Sequence, residues 1–102
     1  MIDLHQLQQE IYQNKVNRGF NVTDVGKEIV LMAEELGELA RAYKNSNKLP
    51  ARETDQRDEM IDAVGDLMVY CLGLCEMLSV NSEDVLLQIV ENNKRRSHTG
   101  WM

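Results

Sequence analysis

The chain has 102 residues, of which 43% are hydrophobic, and this size and composition fit one folded domain and disfavour general disorder. Its formal net charge of −6 disfavours nucleic-acid partners, because an acidic surface repels the phosphate backbone. No segment is long and apolar enough to cross a membrane and the N-terminal segment does not resemble a signal peptide, so we expect a cytoplasmic protein without a membrane partner.

Helix breakers are rare in the sequence, with one proline and six glycines, and aromatic residues make up only 5%. This composition favours an all-α fold over a β-sandwich or a β-barrel. A first helix is predicted from about Asp3, which serves as its N-cap, to Gln13. The polar segment from Asn14 to Asn21 contains Gly19 and indicates a connection.

A second helix is predicted from Thr23, as its N-cap, to about Asn45. Its apolar residues recur every three or four positions and form a stripe along one face. The stripe consists of Val25, Ile29, Met32, Leu36, Leu39 and Tyr43. The stretch NSNKLPARET then breaks the pattern and predicts a loop.

A third helix is predicted from about Asp55 to Leu78, and its second half, LMVYCLGLCEML, is apolar nearly all round. A helix of that kind is surrounded by protein. Because so short a chain buries only a thin core, we expect a second subunit to cover part of this helix, around Leu67, Cys71, Leu74 and Leu78. Cys71 and Cys75 are expected to be buried free thiols, since no further Cys or His pair completes a zinc site.

A fourth helix is predicted after the short link SVNS, with Ser82 as its N-cap. Acidic residues in its first turn complement the helix dipole. Its expected buried side consists of Val85, Leu86, Ile89 and Val90. The helix ends in a basic cluster, and the tail SHTGWM is expected to be irregular.

Two acidic stripes border the apolar faces of the second and third helices. Their members are Glu34, Glu35 and Glu38 on the second helix and Glu59, Asp62 and Asp66 on the third. Carboxylates this close together repel each other unless a cation or solvent screens them. On facing antiparallel helices they could bring four or five oxygens to one point, which suits Mg²⁺ or Mn²⁺. The alternative is solvated acidic surface, the usual interpretation of one such stripe.

The segments EELGELARAY and DEMIDAVGDLMVY resemble the MazG-like all-α nucleoside triphosphate pyrophosphohydrolases, which carry EExxE on one helix and ExxD on the next. The resemblance covers roughly residues 10 to 97. It implies one domain over 1–102 with a four-helix bundle-like fold, assembled as a homodimer or as a dimer of dimers, that is, a homotetramer. It also implies Mg²⁺-dependent hydrolysis of (d)NTPs to (d)NMP and pyrophosphate, in house-cleaning or pool control of nucleotides.

The resemblance also implies roles for individual residues. The metal ligands would be Glu35, Glu38, Glu59 and Asp62, with Asp66 as an outer ligand or a substitute, and Glu34 would be the base. Substrate phosphates would be bound by Asn93, Lys94 and Arg96, with Lys15 and Lys27 as weaker candidates. For Lys94 and Arg96 the alternative is simple complementation of the helix dipole. Ala63 stands where many members have a Glu, so Asp62 with Asp66 remains an alternative ligand pair.

Two other functions stay open. A non-catalytic nucleotide-sensing or interaction module would keep the fold without turnover, and Ala63 gives this hypothesis weight. A phosphoribosyl-ATP pyrophosphohydrolase shares the motif, and we rank it lower because no feature of the sequence points to that substrate. The sequence identifies neither the preferred base nor the preferred sugar.

Overall fold

The computed structural model of the protein describes residues 1–46 and 56–96. These ranges form four α-helices and contain no β-strand, which confirms the predicted all-α, four-helix fold. The helices are α1 (Leu4–Asn17), α2 (Val25–Lys44), α3 (Arg57–Met77) and α4 (Ser82–Arg95). Most of the predicted NSNKLPARET loop, the predicted start of the third helix at Asp55 and the SHTGWM tail lie outside the described residues.

Helix α1 begins as predicted but continues one turn further. The Asp3 carboxylate accepts a hydrogen bond from the Gln6 backbone N–H at 3.0 Å, which caps the first turn. The helix ends where Gly19 adopts a φ of 72°, a conformation that costs glycine little. The Phe20 N–H then bonds back to the Lys15 carbonyl at 2.9 Å, which closes a Schellman motif. The predicted end at Gln13 was wrong because the true stop signal is this glycine.

The N-caps of α2 and α4 each differ by one residue from the prediction. Asp24, not Thr23, caps α2, and its carboxylate accepts a hydrogen bond from the Lys27 N–H at 3.1 Å. Asn81, not Ser82, caps α4 through the Glu83 N–H at 2.9 Å. Both shifts follow from the intrinsic preferences, since Asp and Asn are as good as or better than their neighbours as N-caps.

Helices α2 and α3 form the most extensive helix pair and run antiparallel, so the C-terminal half of α2 lies beside the N-terminal half of α3. Helix α1 packs mainly on α3, and α4 contacts both α1 and α3. The only hydrophobic side chains that are buried in the described part of the chain are Ala42 and Ala63. Both line the small cavity between α2 and α3, at the level of the acidic stripes.

Much of the predicted apolar surface remains exposed in the single chain. Three members of the α2 stripe and three of the predicted buried residues of α4 are exposed: Ile29, Leu36, Tyr43, Leu86, Ile89 and Val90. Cys71 is also exposed, so the prediction that both thiols are buried was wrong for the single chain, whereas Cys75 is half-buried. Few apolar side chains are therefore buried in the described part of the chain, as its length predicts.

One polar side chain joins α1 to the far end of the fold. The amide nitrogen of Gln8 donates to the Glu76 carboxylate and to the Val80 carbonyl, both at 2.8 Å. Its amide oxygen accepts from the Ser82 N–H, also at 2.8 Å. Gln8 is only 1% exposed, and these three bonds satisfy the buried amide. They fix α1 against the turn between α3 and α4.

In the described ranges, no single helix is long and apolar enough to cross a membrane. The bent pair of α3 and α4, with 108° between its members, passes the same test of length and composition.

Candidate functional site

Two neighbouring cavities lie along the helices, and Asp66 lines both of them. The large cavity, of about 780 Å³, lies between α1, α2 and α3. The small cavity, of about 340 Å³, lies between the C-terminal half of α2 and the N-terminal half of α3. Because one carboxylate borders both spaces, a single extended ligand could contact both at once.

The small cavity contains four of the five predicted metal ligands. These are Glu38, Glu59, Asp62 and Asp66. They meet there because α2 and α3 are antiparallel and because residues three and four positions apart lie on one helix face. Ala63, which occupies the expected position of a Glu, is 5% exposed and lines the same cavity. Here this residue packs between the helices and offers no ligand.

Glu35 lies between the two cavities, since it lines the large cavity and contacts Glu38 and Asp66, which line the small one. Hydrogen bonding to Glu38, and to a smaller extent to Asp66, raises the pKa of the Glu35 carboxyl from 4.5 to about 7. Three carboxyl groups this close cannot all be ionised without repulsion. A bound cation would remove that repulsion, so the chemistry of this oxygen-only donor set fits Mg²⁺ or Mn²⁺.

The side chains are not arranged as a closed metal site. Across residues 1–46 and 56–96, no three His, Cys, Asp or Glu side chains are placed to hold one ion together. The structure brings Glu38, Glu59, Asp62 and Asp66 to one cavity and Glu35 to its edge. Convergence of these side chains on a single cation therefore stays a prediction.

The other predicted site residues divide into two groups. Glu34 is exposed and lines neither cavity. On α4, Asn93 is half-buried, Lys94 and Arg96 are exposed, and none of the three lines either cavity of its own chain. The two weaker candidates, Lys15 and Lys27, both line the large cavity.

Lys15 forms a buried ion pair with Glu28 in the wall of the large cavity. Lys15 is 8% exposed and Glu28 is 1% exposed. The Asn21 amide also donates to Glu28 at 2.9 Å, and the Lys15 ammonium lies 5.3 Å from the centroid of the Tyr70 ring. Burial alone would raise the pKa of the Glu28 carboxyl, but the hydrogen bonds from Asn21 and Lys15 and the Lys15 charge hold it below 4.5.

Residues that the sequence did not indicate also line the large cavity. Besides Glu28, they include Arg18, Phe20 and Tyr70. Glu28 could have been found from spacing alone, since it precedes Glu35 by seven residues and shares its face of α2. No comparable signal marks Arg18 or Phe20, because both residues come after the end of the apolar repeat of α1.

A model of the family described as phosphoribosyl-ATP pyrophosphohydrolase matches residues 3–93. The chain belongs to that family. The family sits in the MazG-like all-α NTP pyrophosphohydrolase superfamily, and its members are hydrolases that act on phosphoanhydride bonds. The resemblance to MazG-like enzymes thus identified the superfamily, whereas the family itself is the one that we ranked lower. Comparison with curated proteins and with solved structures found no significant match.

Proposed function

We propose that this protein hydrolyses the α–β phosphoanhydride bond of a nucleoside triphosphate and releases a monophosphate and pyrophosphate, with Mg²⁺ as cofactor and Mn²⁺ as a possible substitute. The observation that supports this most directly is the shared position of Asp66. It joins a cavity of carboxylates to a cavity that contains Lys15, Lys27 and Arg18. A triphosphate requires both kinds of group, since the cations bind phosphate oxygens and the carboxylates bind metal.

In this proposal, Glu38, Glu59, Asp62 and Asp66 hold the metal ion. When bound, Mg²⁺ would neutralise phosphate oxygens and make the α-phosphorus more electrophilic. Lys27 and Lys15 would bind the phosphate groups from the large cavity, where Glu28, itself bonded to the Asn21 amide, keeps the Lys15 ammonium in a fixed position. A fixed cation loses little conformational freedom when the substrate binds.

For the general base, we propose Glu35 and keep Glu34 as the alternative. Glu35 lines the large cavity and contacts Glu38 and Asp66 of the small one, so its carboxylate would lie beside an attacking water held between the metal ligands and the phosphates. Glu34 is the residue that the family motif indicates, but its side chain lines neither cavity. Replacing each by Gln separates the two roles, because only the base should lower kcat without a matching change in metal affinity.

Phosphoribosyl-ATP is the first candidate substrate, since the family model covers residues 3–93. Common (d)NTPs are the second candidate, because the resemblance of Glu34, Glu35 and Glu38 to the E-E-x-x-E motif of MazG-like enzymes implies them, although phosphoribosyl-ATP pyrophosphohydrolases share this motif. Both substrates share the triphosphate and the scissile bond. Phosphoribosyl-ATP differs from ATP in carrying a phosphoribosyl group on its base.

We also propose that the protein acts as a homodimer or homotetramer. The support comes from exposed apolar side chains on α2, α3 and α4, among them Leu36, Met68 and Leu87. Asn93, Lys94 and Arg96 line neither cavity of their own chain, so a role for them in binding substrate requires that such an assembly bring them to the cavity of a neighbouring subunit.

The direct test is incubation of purified protein with Mg²⁺ and each of phosphoribosyl-ATP, the four NTPs and the four dNTPs, with products separated by ion exchange. We expect pyrophosphate and monophosphate, not orthophosphate and diphosphate, and no activity with a chelator. Glu38→Gln should abolish turnover and keep the helical circular dichroism spectrum. Glu83→Gln is the matched control, because Glu83 is an exposed acidic residue outside both cavities. No pyrophosphate from any substrate would instead support the interaction-module hypothesis.

A further inference from the structure

One side of the large cavity is formed by the last turn of α1 and the residues that follow it. There the guanidinium carbon of Arg18 lies 4.7 Å from the centroid of the Phe20 ring, so the planar cation stacks on the aromatic face. Both side chains line the cavity, and Phe20 is 50% exposed. A half-exposed aromatic ring at the wall of a cavity is available to a flat ligand.

The backbone holds this pair in place before any ligand binds. The Schellman motif at Gly19 turns the chain so that Phe20 returns over the end of α1, and its N–H is fixed to the Lys15 carbonyl at 2.9 Å. Lys15 is itself held by Glu28. The ring and the guanidinium therefore start from a defined arrangement, which reduces the ordering cost of binding.

Nearby polar groups remain available in this wall. Asn14 lies one turn before Arg18 on the same face of α1 and lines the cavity. In the described part of the chain, the Asn14 amide has no side-chain hydrogen bond and Arg18 has no carboxylate within ion-pair distance. Asn21 differs, because its amide is already bonded to Asp24 and Glu28. The free groups are thus a planar cation and one amide with both a donor and an acceptor.

We propose that Phe20 and Arg18 form the nucleobase subsite of this enzyme, that Asn14 contacts the edge of the base, and that the subsite favours purines over pyrimidines. The inference rests on the proposed function and assigns the side chains that bind the base of its substrate; for the common (d)NTPs it also selects the class of base. A base has a π-face that stacks on both an aromatic ring and a guanidinium group. A two-ring purine covers more of that platform than a one-ring pyrimidine.

A phosphate group fits this wall less well. Phe20 offers it no hydrogen bond, and the carbonyls at the C-terminal end of α1 carry partial negative charge that repels an anion. The lysines that suit phosphate, Lys15 and Lys27, line the same cavity together with Glu35 and Asp66. A nucleotide with its phosphates toward those carboxylates and its base on Phe20 would place each group beside the chemistry that binds it.

Binding of AMP and of ribose 5-phosphate to the intact protein, measured by titration calorimetry, isolates the contribution of the base, since ribose 5-phosphate has a hydroxyl group in place of the adenine. Wild-type protein should bind AMP more tightly than ribose 5-phosphate by about tenfold or more, the size expected for one stacked base. Phe20→Ala should reduce that ratio to about one, and Phe20→Trp should restore it. Arg18→Ala should lower it in the same direction, with Val16→Ala, an exposed neighbour outside both cavities, as the control.

Kinetics provide the second measurement. For ATP and GTP, Phe20→Ala should raise KM about tenfold and leave kcat within about twofold, with a smaller change for CTP and UTP. Equal AMP and ribose 5-phosphate affinities in the wild type, or an unchanged ratio in Phe20→Ala, would overturn the proposal. So would a wild-type preference for pyrimidine triphosphates. If the wild type hydrolyses no triphosphate, the proposed function fails, and the AMP titration alone then decides the subsite.

Discussion

The Lys15–Glu28 ion pair offers the sharpest test of the energetics of this small fold. Glu28→Gln removes the carboxylate charge but keeps the size of the side chain. The Lys15 ammonium, 8% exposed, would then lose its only carboxylate partner in the described ranges and retain the Tyr70 ring. An unpaired buried charge is strongly destabilising, because the cost of removing it from water is no longer offset.

The expected loss follows from the burial of the two groups. Breaking a buried pair by removing one partner costs about 3–5 kcal/mol. We expect about 3 kcal/mol here, at the lower end, because Lys15 borders an open cavity and keeps its cation–π contact. A domain of this size is typically stable by about 5–15 kcal/mol, so the melting temperature should fall by more than about 10 °C.

The direction of the pH dependence follows from the lowered pKa of Glu28. A carboxyl whose folded pKa lies below 4.5 stabilises the fold above that pH, and this stabilisation is lost as the pH falls through the folded pKa. The gap between the wild type and Glu28→Gln should therefore be full at neutral pH and shrink in acid.

The assay is urea unfolding followed by circular dichroism, at one protomer concentration and at pH 7 and pH 4. Replacing both partners, as Lys15→Met with Glu28→Met, should recover most of the loss, because an apolar pair leaves no unpaired charge. A loss below about 1 kcal/mol in Glu28→Gln would refute the reasoning. So would a double variant as unstable as the sum of the two single variants.

Two further predictions concern the carboxylates and the apolar surface. Because the pKa of Glu35 is raised from 4.5 to about 7, its stabilising effect is present below pH 4.5 and lost as the pH rises through about 7. The melting temperature of metal-free protein should thus fall between about pH 5 and pH 8 in scanning fluorimetry, and Glu35→Gln should flatten the slope; a flat wild-type profile would contradict this. Sedimentation equilibrium at micromolar concentration should give a dimer or larger species, and Leu78→Glu, at a position 55% exposed in the single chain, should shift it toward monomer. A wild-type protein that sediments as a stable monomer would exclude the proposed assembly.

The sequence predicted what depends on local periodicity. The apolar repeat indicated all four helices, and the two acidic stripes indicated the four carboxylates that line the small cavity. Errors occurred where adjacent residues have similar capping preferences, as at Thr23 and Asp24. They also occurred where polar residues continue a helix, as from Asn14 to Asn17, because the hydrophobic pattern gives no signal there.

The sequence did not predict which side chains on different helices contact each other. The partner of Lys15 is Glu28, thirteen positions away on another helix, and only the packing of α1 against its neighbours brings them together. Likewise, the spacing of Glu35 and Glu38 placed both on one face of α2, but it did not show that Glu35 lines the large cavity and Glu38 the small one. The periodicity identified the apolar faces, but it did not show that many of their side chains are exposed in the single chain.

The three hydrogen bonds of Gln8 have a consequence for the order in which the protein folds. They join residue 8 to residues 76, 80 and 82, so they require contact across most of the chain. Contacts of such high sequence separation form slowly, since a long loop must close first. During synthesis on the ribosome, α1 emerges before the other three helices, and the partners of Gln8 emerge only after nearly all of α3. Docking of α1 should therefore complete folding, and a nascent chain that ends before Val80 would leave the Gln8 amide without two of its three partners.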